Sequence, residues 1–172
     1  MDNFTPVEIE RKYVIRMPDL TVLRGMDCYT VSEIEQTYLE SEPHVTHRVR
    51  KRVYAEGAVY TETKKVRIDK ISSYEEERQI DEAEYERLLG RIRYGTRTLT
   101  KTRHTFVFSG QTFEVDIYPE WKESCILETE LASRDTEVKM PTCISVIGEV
   151  SGDERYTNAS MAEEFPKEIF LI

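Results

Sequence analysis

Apolar and polar residues alternate along most of the chain with a period of two, and short polar or glycine-containing stretches separate the alternating runs. Successive side chains of a β-strand point to opposite faces of a sheet, so this pattern indicates a chiefly antiparallel β protein. The stretch Ser109-Gly110-Gln111 is typical of a hairpin turn. The alternation predicts eight strands: Val7–Ile15, Glu33–Leu39, His47–Tyr54, Val59–Ile68, Tyr74–Ile80, Thr98–Phe108, Thr112–Tyr118 and Cys125–Ala132.

Helical patterns are few. Asp81 is followed three residues later by Glu84, which is typical of a helix start, and apolar residues then recur at helical spacing. We therefore predict an amphipathic helix from Asp81 to about Ile92. Two shorter helices are also expected, one opened by Pro18-Asp19 before Gly25 and one over Ala159–Phe165 capped by Asn158.

Charged residues stand at every second position of six predicted strands, which places them on one face of each strand. For a single strand, an ordinary solvated face explains such a pattern. Across six strands, however, like charges stand side by side, and this arrangement is unfavourable without a counter-charge. The rows are Glu8, Glu10 and Lys12; Arg48, Arg50 and Arg52; Glu75 and Glu77; Lys101 and Arg103; Glu114 and Asp116; and Glu128 and Glu130.

The charged rows can compensate one another if the sheet closes on itself. We therefore predict a mainly β (α+β) fold, a closed eight-stranded antiparallel β-barrel with a polar lumen and a few helices packed outside. Charges of both signs inside a protein cost free energy unless ligands complete their pairing. Carboxylates suit hard cations and basic rows suit a polyanion. Because no Cys or His cluster accompanies the carboxylates, Mg²⁺ or Mn²⁺ is favoured over zinc.

Composition narrows the class of protein. The 172 residues are expected to form a single domain over residues 1–172, because no Pro/Gly/Ser-rich stretch divides them. The net charge of −9 argues against a nucleic-acid partner, which would require clustered Lys and Arg. No secretion signal or long apolar run is visible, so no membrane partner is expected. Cys28, Cys125 and Cys143 form no CxxC pair, which fits a cytoplasmic protein with small core cysteines.

Aromatic and imidazole side chains leave their roles open. Tyr54, Tyr118 and Trp121 either stack on a ring of the substrate or pack at the end of the barrel. No histidine stands in a metal-spaced group. The three histidines are therefore expected at the surface or at the tunnel mouth: His44, His47 and His104.

The opening residues Glu8-Ile9-Glu10-Arg11-Lys12 match the ExExK signature of the CYTH superfamily, also called the triphosphate tunnel metalloenzymes. The chain resembles this family well beyond the signature, because further matches follow in family order over nearly the whole chain. They are Gln36-Thr37-Tyr38-Leu39, Arg48-Val49-Arg50, Thr63-Lys64-Lys65, Glu75-Glu76-Glu77 with Ile80, Lys101-Thr102-Arg103, Glu114-Val115-Asp116, Glu128-Thr129-Glu130, and Gly148-Glu149-Val150 through Tyr156-Thr157-Asn158.

The resemblance implies a role for each charged row. It implies phosphate binding by Lys12, Arg48, Arg50, Lys65, Lys101 and Arg103. It implies metal binding by Glu8, Glu10, Glu128 and Glu130, with Asp116 as a ligand of a second metal or of metal-bound water and Glu75, Glu77 and Glu114 in support. Within these sets, the residues expected to be catalytic are Lys12, Arg50, Arg103 and Asp116. The Thr-x-Lys register favours Lys65 over Lys64 as the inward lysine, and Arg52 either lines the mouth or is solvated.

The family includes tripolyphosphatases, thiamine triphosphatases, class IV adenylyl cyclases and, more remotely, RNA triphosphatases. The opening of this chain resembles bacterial tripolyphosphatases more than cyclases. The resemblance therefore implies hydrolysis of a small-molecule triphosphate with Mg²⁺ or Mn²⁺, above all tripolyphosphate to pyrophosphate and phosphate. The alternatives are a cyclase acting on ATP, a thiamine triphosphatase, and a non-catalytic module that binds polyphosphate or a nucleotide. A homodimer is left open.

Overall fold

The computed structural model describes residues 7–169 of the chain. Over this range it contains nine strands and three α-helices, and all eight predicted strands are confirmed. The strand β2 begins at Asp27, well before the predicted Glu33. The elements are β1 (Val7–Arg16), α1 (Leu20–Arg24), β2 (Asp27–Leu39), β3 (Val45–Tyr54), β4 (Gly57–Arg67), β5 (Ser72–Ile80), α2 (Glu82–Leu89), β6 (Leu99–Phe108), β7 (Gln111–Ile117), β8 (Ser124–Glu130), β9 (Val146–Glu149) and α3 (Asn158–Glu163).

Hydrogen bonding between neighbouring strands closes the sheet into a barrel. The strand order is β5-β4-β3-β2-β6-β7-β8-β1, and β1 pairs again with β5. Each of these pairings is antiparallel. At the closure, Val7 of β1 lies opposite Tyr74 of β5. The predicted closed eight-stranded antiparallel barrel is therefore confirmed.

A ninth strand, β9, extends the wall along β1. The edge of β1 that faces away from β8 pairs with β5 at Val7–Ile9 and with β9 at Tyr13–Ile15. The sequence did not predict β9. Its four residues include Gly148 and are too few to show an alternation.

The apolar face of the barrel points outward, and short helices and loops cover it. The helix α2 lays Tyr85 and Leu88 over one patch, which contains Leu39, Val49 and Ile80. A second patch lies beneath α1 and the segment that precedes β9. Its buried residues include Leu23, Phe106, Phe113, Val115, Leu127 and Ile144. Because the apolar side chains of these strands point outward, the alternate side chains that point into the lumen are polar.

The helix ends follow from their caps. The Oδ1 of Asp81 accepts from the backbone N–H of Glu84 at 2.8 Å, as the sequence predicted. The helix α2 nevertheless ends at Leu89 rather than near Ile92, because Gly90 forms its C-cap. The predicted helix after Asp19 is confirmed as α1. The helix α3 starts at Asn158, so its cap is Thr157 and not the predicted Asn158.

At one end of the barrel the inward face turns apolar. Val14, Leu99 and Ile126 lie on this face and are buried against Met161 of α3. Tyr118 and Trp121 are buried in the same cluster, 1% and 4% exposed. Barrel-end packing, rather than stacking on a substrate, is therefore confirmed for these two aromatic residues.

The expectation that His47 and His104 lie at the surface or at the tunnel mouth is wrong, because both residues are buried and neither lines the lumen. Each has a polar partner on a neighbouring strand, which a single sequence does not reveal. The Nε2 of His47 lies 2.7 Å from Oε1 of Glu62, and the Nδ1 of His104 lies 2.8 Å from the hydroxyl of Tyr29.

The cysteines divide between core and surface. Cys125 is buried as expected, whereas Cys28 and Cys143 are exposed, so the expectation of core cysteines is wrong for these two. Cys28 lies at a register irregularity of β2 between Asp27 and Thr30 and has a φ of 54°, which interrupts the alternation there. Over residues 7–169, no helix is both long and apolar enough to cross a membrane.

Candidate functional site

The lumen of the barrel contains a cavity of about 590 Å³. Its wall brings together most of the charged residues that the sequence predicted. Lys65 lines it while the neighbouring Lys64 is exposed outside, and Arg52 also lines it. The remaining predicted residues in the wall are Glu8, Glu10, Lys12, Arg48, Arg50, Glu75, Glu77, Arg103, Glu114, Glu128 and Glu130.

The charges are sorted by sign around this wall. The adjacent strands β7, β8, β1 and β5 supply the carboxylates, which we call the acidic arc. The adjacent strands β4 and β3 supply Lys65, Arg48, Arg50 and Arg52, which we call the basic arc. Lys12, on β1 within the acidic arc, and Arg103, on β6 next to β7, are cations on strands outside the basic arc. A polyanion along the basic arc would therefore face carboxylates that suit hard cations.

Lys101 and Asp116 do not line the cavity but lie buried beside it. The Nζ of Lys101 is 2.6 Å from Oδ2 of Asp116, and the Nε and Nη2 of Arg103 are 2.6 and 2.7 Å from its Oδ1 and Oδ2. Burial disfavours the charged carboxylate, but the charges of Arg103 and Lys101 outweigh it and lower the pKa of Asp116. Both oxygens of Asp116 are thus occupied. Metal binding by Asp116 and phosphate binding by Lys101 stay predictions.

Glu128 connects this buried network to the cavity wall. Its Oε2 lies 3.1 Å from Nη2 of Arg103, and its Oε1 lies 2.9 Å from Nζ of Lys12. Despite burial, Lys12 and Arg103 hold the pKa of Glu128 well below its usual value. Lys12 also donates to the backbone carbonyl of Tyr156 at 3.2 Å, and Nη1 of Arg103 is 2.5 Å from Glu114. These contacts fix both cations before any ligand binds.

The other carboxylates of the acidic arc are incompletely neutralised. The Nζ of Lys65 lies 3.2 Å from Oε2 of Glu75 and 3.4 Å from Oε2 of Glu8. Enclosure in the barrel, followed by the neighbouring Glu75, raises the pKa of Glu8 to about 7. Enclosure and the charge of Glu128 likewise raise the pKa of Glu10. A cation bound among these carboxylates would relieve their repulsion.

On the basic arc, Arg50 makes no ion pair with any residue in the range 7–169. Its Nε and Nη2 both donate to Oε1 of Gln36, each at 3.3 Å. Enclosure, together with the positive charges of Arg48 and Arg103, lowers the pKa of Arg50 to about 10. Arg48, by contrast, donates to Oε1 of Glu75 at 3.2 Å. Arg50 is therefore an enclosed guanidinium without an acidic partner among the described residues.

Arg52 stands at the end of the basic row. Its Nε donates to the hydroxyl of Ser32 at 2.8 Å, and its guanidinium carbon lies 4.9 Å from the centre of the Tyr54 ring. This distance is within the range of a cation–π contact. The ring of Tyr54 is therefore already covered by a side chain of the same strand.

The cavity also has lining residues to which the sequence reasoning assigned no role. Thr63 and Arg67 continue the row of Lys65 on β4, so the spacing of two could have identified them. Asn158 reaches the cavity from α3, and its Oδ1 accepts from the hydroxyl of Tyr118 at 2.5 Å. No alternation in a strand signals such a contribution, because it depends on where the C-terminal helix docks.

A scan of protein-family models finds no match to the chain, and a search of curated proteins finds none either. Solved structures do match. The inorganic triphosphatase NE1496 aligns over 93% of this chain and 97% of its own, with 28% identity and a TM-score of 0.59. This chain has the triphosphate tunnel fold of the CYTH superfamily.

Two further solved structures show the same fold at lower identity. The PH1819 protein from Pyrococcus horikoshii OT3 aligns over 74% of this chain and 80% of its own, with 22% identity and a TM-score of 0.57. HpAC1 from Hippeastrum is described as an adenylyl cyclase candidate with a dominant triphosphatase activity. It aligns over 73% of this chain and 80% of its own, with 14% identity and a TM-score of 0.50. The resemblance inferred from the ExExK opening is therefore confirmed.

The triphosphate tunnel fold implies a bound divalent metal ion. The side chains of the lumen have the chemistry to bind one. The acidic arc offers the hard oxygen donors that Mg²⁺ and Mn²⁺ prefer. In residues 7–169, no three His, Cys, Asp or Glu side chains are already grouped as a metal site. The raised pKa values of Glu8 and Glu10 nevertheless identify carboxylates short of positive charge. The residues that would hold the metal are Glu8, Glu10, Glu128 and Glu130.

Proposed function

We propose that this protein is a metal-dependent triphosphatase that hydrolyses inorganic tripolyphosphate to pyrophosphate and phosphate. The observation that carries the proposal is Arg50, a guanidinium enclosed in the lumen whose only side-chain partner in residues 7–169 is the neutral Gln36. An uncompensated cation opposite an acidic arc suits an anion that brings its own metal ions. The likeness to the inorganic triphosphatase NE1496 over 93% of this chain supports the proposal.

Phosphoryl transfer needs positioned phosphates and neutralised nonbridging oxygens more than it needs covalent participation by the protein. In this tunnel Arg48 and Arg50 act on the phosphate oxygens through forked contacts, which suit guanidinium groups. Lys65, beside the acidic arc, and Lys12, within it, act as point charges. In the reaction, the oxygen of water bonds to the terminal phosphorus as an anhydride P–O bond breaks, and one proton is released.

The acidic arc takes part through the metal. When bound by Glu8, Glu10, Glu128 and Glu130, Mg²⁺ or Mn²⁺ supplies charge neutralisation at phosphate oxygens and a more acidic water. Glu128 is suited to this task because Lys12 and Arg103 keep it ionised. Asp116 supports the site by holding Arg103 in place through both of its oxygens. Ligation of a second metal by Asp116 is the alternative role, and an Asp116→Asn variant distinguishes the two.

The aromatic residues favour an inorganic substrate over a nucleotide or a thiamine ester. Tyr118 and Trp121 are buried in the apolar cluster at one end of the barrel, so neither presents a free ring face to the lumen. Arg52 covers one face of Tyr54, and Tyr54 does not line the cavity. With these three rings engaged, a nucleobase or thiazole finds no stacking partner among them, whereas a bare polyphosphate needs none.

A cytoplasmic location is part of the same proposal. Cys28 and Cys143 are exposed free thiols. Unpaired thiols of this kind suit a reducing compartment.

Product analysis tests this function. The protein is incubated separately with tripolyphosphate, ATP and thiamine triphosphate, each with Mg²⁺ or Mn²⁺, and phosphate, pyrophosphate and cyclic AMP are quantified. We expect the fastest turnover with tripolyphosphate. Formation of cyclic AMP faster than phosphate release from tripolyphosphate would instead identify a cyclase, and binding without any product would identify a non-catalytic module.

A further inference from the structure

The wall of the barrel is interrupted where β1 changes partners. The backbone N–H of Glu10 still donates to the carbonyl of Ile71, at 2.9 Å, just before β5. Two residues later, the backbone N–H of Lys12 donates at 2.9 Å to the hydroxyl of Ser151 instead of to a strand. The carbonyl of Lys12 already accepts from the backbone N–H of Val150 at 2.9 Å, so the backbone ladder along this edge of β1 is interrupted only between Ile71 and Val150, which leaves a narrow gap in the wall.

A second cavity, of about 50 Å³, occupies this gap. Glu10, Lys12 and Lys65 line it and also line the main cavity, so these side chains stand between the two spaces. Ser73 lines only the smaller cavity, which also reaches the exposed Lys70. The smaller cavity therefore extends from the exposed Lys70 to side chains that also border the tunnel.

The size and lining of this cavity suit water. A cavity of roughly 10–15 Å³ with two to four polar partners is enough to hold one water molecule. The hydroxyls of Ser73 and Ser151 and the charged groups of Glu10 and Lys12 supply such partners. The cavity is polar and larger than that minimum, so we expect it to contain water.

The outer end of the gap is narrowed by two touching loops. Gly152 has a φ of 73°, and a Cβ built on it would lie 2.7 Å from Cβ of Lys70. A side chain at this position would be both strained and in collision with the β4–β5 turn. Close approach of the two loops therefore requires glycine, and it limits the opening to small molecules.

We propose that this gap is a side port through which water reaches the part of the tunnel near Glu10 and Lys12 while a triphosphate fills the main cavity. The proposal rests on the proposed triphosphatase function, because each turnover consumes one water. A triphosphate with its counter-ions obstructs the lumen along its axis. A lateral entry supplies water without requiring the substrate to leave.

Thiol labelling tests the port in the folded protein. In a Cys28→Ser, Cys143→Ser background, Ser151→Cys places a thiol in the port and Thr46→Cys places one in the main cavity. Both are treated with a small methanethiosulfonate in chelator, with and without excess tripolyphosphate. We expect tripolyphosphate to protect Thr46→Cys and to leave labelling of Ser151→Cys unchanged. Equal protection of both thiols, or no labelling of Ser151→Cys, would overturn the port.

Steady-state kinetics test whether catalysis depends on the port. Ser73→Leu fills the port, whereas Ser73→Ala removes the hydroxyl and leaves the space. We expect Ser73→Leu to lose kcat with KM unchanged and Ser73→Ala to keep both, since binding along the basic arc is untouched. Wild-type kcat in Ser73→Leu would contradict the proposal. If Ser73→Leu fails to fold, the comparison is made on Ser151→Cys before and after labelling, where an unchanged kcat is equally contradictory.

The outcomes for the port and for the proposed function are distinguishable. A wild-type protein that releases no phosphate from any triphosphate contradicts the function, and the port proposal falls with it. An active wild type whose Ser73→Leu variant and labelled Ser151→Cys variant keep full kcat retains the function and loses only the port.

Discussion

Arg50 and Gln36 lie directly opposite each other on β3 and β2, and both Nε and Nη2 of Arg50 donate to Oε1 of Gln36, each at 3.3 Å. The side-chain amide nitrogen of Gln36 in turn donates to the hydroxyl of Tyr38 at 2.8 Å. A neutral amide thus orients the guanidinium without neutralising it. The charge of Arg50 is kept available for a ligand, which makes this pair the most informative place to test the site.

Replacing Arg50 by alanine is expected to reduce kcat/KM strongly and to leave the fold intact. The loss should be on the order of 2–4 kcal/mol of transition-state stabilisation, as for removal of one preorganised charge contact. Arg50→Lys keeps the charge but not the fork, so it should recover only part of the activity. The measurements are steady-state kinetics with tripolyphosphate and a thermal melt. An unchanged kcat/KM in Arg50→Ala would place Arg50 outside the substrate site.

The neighbours Lys64 and Lys65 provide a matched pair on β4. Lys65 lines the cavity, whereas Lys64 is exposed on the outer face. We expect Lys65→Ala to weaken tripolyphosphate binding and turnover. Lys64→Ala should behave like the wild type, because exposed charges contribute little. Both variants are assayed side by side for KM and kcat. Equal effects of the two substitutions would show that the orientation of this strand is wrong.

Asp116→Asn separates a structural role from a metal-binding role. The carboxylate contacts Lys101 and Arg103, and all three are buried. Loss of one partner in such a network leaves uncompensated charge, so the free energy of unfolding should fall by about 3–5 kcal/mol in the metal-free protein. The measurement is urea unfolding in chelator, with Asp135→Asn, at an exposed position outside the cavity, as the control. Full stability of Asp116→Asn combined with loss of the metal-induced shift in Tm would favour the metal-ligand role.

Glu8 should give the metal-free protein a component of stability that falls as the pH rises from about 4.5 to about 7. Glu8 has its pKa raised from 4.5 to about 7 in the folded chain, so over this range the folded state holds more protons than the unfolded state. The stabilising contribution is therefore complete at low pH and is lost as pH rises through 7. Glu8→Gln should flatten this part of the profile. Melting temperatures are recorded against pH in chelator, and identical profiles for the two proteins would refute the assignment.

Glu10→Gln tests the metal site from the other side. Enclosure and the charge of Glu128 raise the pKa of Glu10, so its carboxylate destabilises the metal-free barrel at neutral pH. The variant should be at least as stable as the wild type in chelator. Its Tm should rise much less with Mg²⁺ or Mn²⁺, since bound metal stabilises the fold by RT ln(1 + [L]/Kd). A metal-induced shift equal to that of the wild type would remove Glu10 from the ligand set.

The sequence predicted the charged rows well because strand geometry alone decides which residues share a face. The alternation could not show depth along the barrel. Lys101 and Asp116 follow the same rows as Arg103 and Glu114, yet they lie below the cavity, where the inward face changes to apolar residues such as Leu99. Depth depends on the stagger between strands, which no single strand pattern contains.

Contributions from outside the barrel were also beyond the sequence. Asn158 reaches the lumen because α3 packs Met161 into the end of the barrel, a tertiary contact with no periodic signal. The partners of His47 and His104 on neighbouring strands were hidden for the same reason. Resemblance to a family supplied the expected roles of the charged rows, whereas their pairing required the three-dimensional arrangement.

The most direct test of tripolyphosphate hydrolysis is phosphorus NMR of tripolyphosphate incubated with the wild-type protein and Mg²⁺. We predict that the tripolyphosphate resonances decay while pyrophosphate and phosphate appear in equal amounts, and that Arg50→Ala slows this conversion. Persistence of intact tripolyphosphate with both Mg²⁺ and Mn²⁺, at protein concentrations where binding is measurable, would contradict this prediction and leave the tunnel a binding module.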